Sequence, residues 1–293
     1  MKKLLAALAC AATLTASLLP ITANADVVTK PKYTVLALDT SSSMETTTVY
    51  DGEKITKIEA EKAAAKEFCK SALENGQNQV AVITFDSSSS VVYNFTDDIK
   101  ALDTAIDDIY AYGATNFEEA FKLAKSLLDE LDSSKVDKNI VLCSDGLPVR
   151  GESLLSYKYT SDDYAGWYLA NSTLKYDNEE IKPNTTVYTL GFYDNLSEKE
   201  AVFAPMFMKD LASGGMIIAK NGDELKTGFN KFAKDINKVA TPDTPDNPNG
   251  GNTNGNGAVK SPKTGNTFGA ALVLIGMACG ISMLVIYSKK RVD

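Results

Sequence analysis

Apolar positions in this chain form short unbroken runs, separated by longer stretches whose apolar residues recur every three or four positions. The runs at residues 33–38, 79–85, 91–95, 139–144, 185–192 and 216–219 predict strands. The periodic stretches at 55–73, 99–109, 116–131, 197–211 and 223–239 predict helices, with at least one more before residue 181. Strands alternating with helices imply a mostly parallel sheet covered on both faces, which suits such short apolar strands. Only residues 86–90 join the second strand to the third, too few for a crossover, so the third strand is expected to be an antiparallel edge. Ligands of such a sheet bind beyond the carboxyl ends of the strands, where the strand order reverses.

Both ends of the chain read differently from its middle. Lys2 and Lys3, an apolar stretch over 4–19, Pro20 and the small-residue pattern Ala23-Asn24-Ala25 predict a secretory signal at 1–25, cleaved between Ala25 and Asp26. A short lead, 26–31, precedes one domain at 32–239. Residues 240–260 turn to Thr, Pro, Asp, Asn and Gly with almost nothing to bury, as in a disordered tether. Behind Ser261-Pro262-Lys263-Thr264-Gly265 stands an apolar run at 268–287, long enough to span a bilayer, and a basic tail at 288–293.

The formal net charge of −8 moves to −12 once Lys2 and Lys3 are lost at one end and Lys289, Lys290, Arg291 and Asp293 at the other. Nucleic acid and anionic lipid are therefore excluded as expected partners, since both need a concentrated basic surface. The chain has no histidine, which removes imidazole from any triad, zinc site or general base near neutral pH. The expectation is a protein that is not an enzyme. Cys69 and Cys143, in apolar settings, read as two buried thiols rather than one bridge.

Oxygen-bearing side chains cluster where strands run out into loops. Asp39, Ser41 and Ser43 follow the first strand, Thr115 lies in Gly113-Ala114-Thr115-Asn116, and Asp145 ends the strand at 139–144. If the first and fourth strands are neighbours, Asp39 and Asp145 converge on one crevice, an all-oxygen set suited to a hard divalent cation. Each part has an ordinary reading beside this one. Asp-x-Ser-x-Ser occurs again at Asp86-Ser87-Ser88-Ser89-Ser90, in a tight link where such residues form turns. Thr115-Asn116-Phe117-Glu118 has the form of a helix capping box, and Asp145-Gly146 is a turn signal. Joint placement on one strand and helix alternation favours the metal reading.

This set resembles the von Willebrand factor type A domain and its metal-ion-dependent adhesion site, over roughly residues 32–239. The resemblance implies an α/β, Rossmann-like doubly wound sheet of six strands in the order 3-2-1-4-5-6, with strand 3 antiparallel and helices on both faces. It also implies Mg2+, with Mn2+ or Ca2+ as alternatives, held by Asp39, Ser41, Ser43, Thr115 and Asp145, with a ligand carboxylate completing the shell. Gly113-Ala114 stands where the family often has two glycines. The stretch after Asp145 offers Tyr157, Tyr159, Tyr164 and Trp167 as an aromatic ligand rim.

The C-terminus resembles a sortase sorting signal with serine in place of the usual leucine. That implies cleavage between Thr264 and Gly265 and joining of Thr264 to peptidoglycan or a pilin on a Gram-positive cell surface. The leading expectation is a wall-anchored adhesin that captures an extracellular protein through an acidic residue. The alternatives are a structural or tip component of a sortase-built pilus and, lacking an evident base or nucleophile, a metal-dependent hydrolase.

Overall fold

The computed structural model describes residues 29–238 except 156, 160–166 and 195. The expected signal peptide, tether, sorting signal and membrane span lie outside the described residues. Among the described residues no helix is long and apolar enough to cross a membrane.

The elements run β1 (Lys32–Asp39), β2 (Thr47–Tyr50), β3 (Glu53–Thr56), α1 (Lys57–Leu73), β4 (Gln79–Phe85), β5 (Ser89–Thr96), α2 (Ile99–Asp107), α3 (Phe117–Asp129), β6 (Asp137–Ser144), α4 (Trp167–Tyr176), β7 (Thr186–Phe192), α5 (Glu198–Leu211), β8 (Gly215–Ala219) and α6 (Gly222–Asn237). Six strands form one sheet in the order β5-β4-β1-β6-β7-β8, and β2 with β3 forms a separate hairpin. All pairings in the large sheet are parallel except β4 with β5. The expected order, and the antiparallel edge that the short link dictated, are both present.

Period-2 alternation along β1 divides the core. Leu36 and Leu38 face α1, α2 and α6 with Phe68, Leu102, Phe229 and Phe232. Val35 and Ala37 face α3, α4 and α5 with Phe117, Phe121, Phe207 and Leu211. Val35 through Leu38 are wholly buried, so β1 is central on both faces. Each fully buried Leu or Phe is worth roughly 1.5–3 kcal/mol, so two such layers hold the sheet's carboxyl end rigid.

Two expectations change. Residues 47–56, read as a connection running into a helix, form the hairpin instead, because Asp51 and Gly52 both take positive φ (48° and 80°) and close a tight turn. The helix therefore starts at Lys57, capped by Thr56, whose side chain accepts from the Glu59 amide. Cys69 and Cys143 are both buried free thiols, as expected.

Candidate metal centre

Pairing of β1 with β6 sets Leu38 opposite Cys143, so Asp39 and Asp145 emerge side by side at the carboxyl end of the sheet. Three loops meet there. The first, residues 40–46, includes a 3-10 turn at Ser42–Glu45. It is tied to the second, 108–116, by the Tyr112 amide donating to the Thr40 carbonyl (2.5 Å) and the Ser42 amide to the Gly113 carbonyl (3.0 Å). The second is tied to the third, 145–155, by the Val149 and Arg150 amides, both donating to the Thr115 carbonyl (3.0 and 3.1 Å).

Side chains join the first loop to the third. Asp39 is fully buried, its Oδ1 accepting from the Ser41 amide (2.8 Å) and its Oδ2 from the Ser144 hydroxyl (2.5 Å). Ser43 Oγ donates to Asp145 Oδ1 (2.7 Å), and the Ser41 and Ser43 hydroxyl oxygens lie 3.0 Å apart. Asp39, Ser41, Ser43 and Asp145 are thus one hydrogen-bonded cluster. Thr115 is carried beside it on the second loop, 5% exposed.

Thr115 does not cap α3, contrary to the expected capping box. Asn116 is the N-cap, accepting from the Glu119 amide (3.3 Å), one register later. The Thr115 hydroxyl is thereby released from capping.

Burial, then the neighbouring charge of Asp145, raises Asp39 from an ordinary carboxyl value to about 7, although Ser144 and Ser41 oppose the shift. Two carboxylates brought together out of water resist ionising together, and a cation between them would relieve that. Among the described residues no cluster of three or more His, Cys, Asp or Glu has metal-holding geometry. The donors here are two carboxylates and three hydroxyls, a set in which the hydroxyls could touch a hard ion while the aspartates act on it through water.

Several residues of this centre went unread in the sequence. Lys57, the first residue of α1, is 3% exposed and places Nζ 3.0 Å from Asp145 Oδ2 and 2.8 Å from Asp194 Oδ1, just beyond β7. Glu61, one helical turn on, is fully buried, and burial, followed by the charge of Asp39, pushes it well above the usual carboxyl range. The exposed Tyr112 and Val149 border the crevice, since their amides make the loop-tying bonds above, and exposed Tyr110 stands two residues away. Tyr110-Ala111-Tyr112 beside Thr115 was the available signal.

The expected aromatic rim needs correction. Tyr159 and Trp167 are buried, their rings 4.1 Å apart, with the Trp167 ring edge-on to Phe203 and the Tyr159 hydroxyl donating to Asp210 Oδ2 (2.5 Å). They pack against α5 because a tryptophan flanked by other rings gains more from burial than from water. Tyr157 is exposed, and Tyr164 lies outside the described residues. A polar cleft of about 680 Å3, lined by Lys32, Asp137, Asn139, Tyr188 and Asp235 among others, opens where β1, β6 and β7 begin, at the sheet end remote from this cluster.

Residues 34–147 match the family model described as von Willebrand factor type A domain. No curated protein sequence matches the chain. Among solved structures, the von Willebrand factor domain of the type V pili tip protein Mfa5 from Porphyromonas gingivalis is similar at 18% identity and a TM-score of 0.56, covering 72% of this chain and 96% of that one. The minor pilin PilB from Streptococcus sanguinis is similar at 16% identity and a TM-score of 0.57, covering 71% of this chain and 61% of the pilin. The pilus adhesin SpaC from Lactobacillus rhamnosus GG, in its open conformation, is similar at 18% identity and a TM-score of 0.55, covering 71% of this chain and 30% of the adhesin. The fold is the α/β fold of the von Willebrand factor type A domain, with the six-stranded order found above.

Proposed function

We propose that the cluster holds a divalent cation, Mg2+ first and Mn2+ or Ca2+ as alternatives, through Asp39, Ser41, Ser43, Thr115 and Asp145, and that the bound ion captures a carboxylate on an extracellular protein. The observation that carries this reading is the single chain of oxygen atoms from Ser41 through Ser43 to Asp145, 3.0 and 2.7 Å apart, at the switch point of the sheet. The Ser43 and Ser144 hydroxyls donate to carboxylates, and the chain has no histidine to serve as a base near neutral pH, so the reading is binding rather than hydrolysis. The bordering Tyr112, Tyr110 and Val149 supply contact area for a protein surface around the buried charge.

In this reading the domain is a surface adhesin, exported by its signal peptide. Sortase joins it through Thr264 to peptidoglycan or to a pilin, the covalent acceptors implied by Ser261-Pro262-Lys263-Thr264-Gly265. A second reading, a pilus tip or structural component, is favoured by the fold's likeness to a pili tip protein, a minor pilin and a pilus adhesin. Calorimetric titration with Mg2+, Mn2+ and Ca2+ tests the ion, and absence of saturable binding to all three defeats it. Covalent ladders in cell-wall extracts favour the pilus reading, whereas a single wall-linked species terminating at Thr264 favours the adhesin.

A further inference from the structure

Lysine is a poor choice for the first residue of a helix, where the dipole favours negative charge, and a poor choice for burial. Lys57 occupies both positions at once. Its backbone amide donates to the Thr46 carbonyl (2.8 Å), which fixes where the side chain starts. Its ammonium reaches Asp145 Oδ2 and Asp194 Oδ1 and stands 5.6 Å from the centroid of the Phe192 ring. Asp145 is divided between partners, Oδ1 taking the Ser43 hydroxyl and Oδ2 the lysine. The attraction of Asp145 and Asp194 outweighs the cost of burial and keeps Lys57 above its ordinary pKa, so the charge is fixed.

We propose that Lys57 is a specificity-determining residue of the ion centre, an internal cation whose charge lets the ion-loaded site accept an anionic group. This rests on the divalent-ion reading above. Asp39 and Asp145 flank the place a divalent ion would take, and Asp194 shares the Lys57 ammonium with Asp145, so the charge of the three carboxylates in this network exceeds that of the ion by one. Lys57 supplies the missing positive unit. A fully compensated centre lets an incoming carboxylate approach without net repulsion. With the protons on Asp39 and Glu61 unchanged, removing Lys57 lowers the charge of the centre by one unit. That change must strengthen attraction for a cation and weaken it for an anion. A lysine that only propped up the loop would, when removed, weaken both.

The test uses the full chain with Mn2+ and acetate as probes, reading ion affinity and acetate binding from the water-proton relaxation of bound Mn2+. Three variants vary the charge independently: Lys57→Met lowers it, Asp194→Asn raises it, and the double variant restores it. Acetate affinity for the Mn2+-loaded protein should fall about tenfold in Lys57→Met, rise about tenfold in Asp194→Asn and return to within threefold of wild type in the double variant. Mn2+ affinity should move the opposite way in each single variant. If Lys57→Met fails to fold because Asp194 is left buried and unpaired, the step from Asp194→Asn to the double variant still reads the removal of Lys57. Equal acetate affinity across that step, with Mn2+ bound in both, overturns the proposal while leaving the ion site standing. A wild-type chain that takes up no Mn2+ overturns the ion reading itself.

Discussion

Asp-x-Ser-x-Ser occurs twice in this chain, and the two copies make the same local turn. In each, the aspartate Oδ1 accepts from the amide two residues on, at 2.8 Å in both Asp39 and Asp86. What separates them is the end of the strand they stand on. Asp39 leaves the central strand β1 beside β6 and is fully buried against Ser144, whereas Asp86 leaves β4 into the link to the edge strand β5, with its partner Ser88 exposed. One motif, set into two environments, gives a charged cluster in the first case and a surface turn in the second. The second copy still serves the first: Ser87 Oγ accepts from the Ala114 amide (3.0 Å), on the loop that carries Thr115.

The largest effect should come from exchanging the copies' aspartates for alanine one at a time. Asp39→Ala should lower Mg2+ affinity about 10–100-fold, the usual loss when a group that orients metal ligands is removed, and leave the fold intact. Asp86→Ala should stay within about threefold of wild type. Calorimetric titration of both variants decides it, and equal losses would erase the distinction between the copies.

Ser43→Ala comes next. It deletes one hydroxyl and the 2.7 Å bond that orients Asp145, and should cost about tenfold in Mg2+ affinity. Ser90→Ala, the matching position of the second copy, should cost nothing measurable in the same titration. A silent Ser43→Ala would mean that the two serine runs differ in burial but not in role.

The fold was legible because β1 had to be central. No polar residue interrupts Val35 to Leu38, and the short 86–90 link dictated the antiparallel edge, while the order of the sheet was what the family resemblance implied. The aspartates and serines were legible for the same reason, standing where those strands end, and Thr115 through the loop that feeds α3. Lys57 was not. A lysine at the start of a periodic stretch reads as a solvated face, and nothing local announces that Asp145 and Asp194, far along the chain, will meet it. Tyr159 and Trp167 failed in the opposite sense, since aromatics after a site look like a contact surface until α5 is seen to cover them.

Protons should also tell the copies apart, by a smaller margin. Asp39 in the ion-free protein keeps its proton up to about pH 7 because burial disfavours its charged form. Binding a cation requires the carboxylate, so below pH 7 the ion must displace a proton. Mg2+ affinity should therefore fall as pH drops from 8 to 6, by at most about tenfold per unit below 7, and flatten above. Asp86→Ala should keep this slope unchanged. Titrations in two buffers of different ionisation enthalpy would show the released proton, and equal affinity at pH 6 and 8 would remove Asp39 as its source.

The smallest effect should come from the link between the copies. Gly113 holds a φ of 84°, and a Cβ there would lie 3.1 Å from Ser87 Oγ and 3.3 Å from the Asp86 side chain, so the second loop lies directly on the second serine run. Ser87→Ala removes the acceptor of the Ala114 amide but leaves that amide exposed to water, which can replace the lost bond. Destabilisation should therefore be about 0.5–1.5 kcal/mol, the net worth of one hydrogen bond. Thr115 follows Ala114 directly and is also held through its carbonyl by the Val149 and Arg150 amides, so it has support from the other side. Loosening one side should widen the range of Thr115 hydroxyl positions without freeing it, and Mg2+ affinity should fall about two- to threefold while the unfolding midpoint drops by about 1–6 °C. A loss as large as that of Asp39→Ala would mean that the second copy is part of the ion site. No loss at all would mean that Thr115 is placed by the third loop alone.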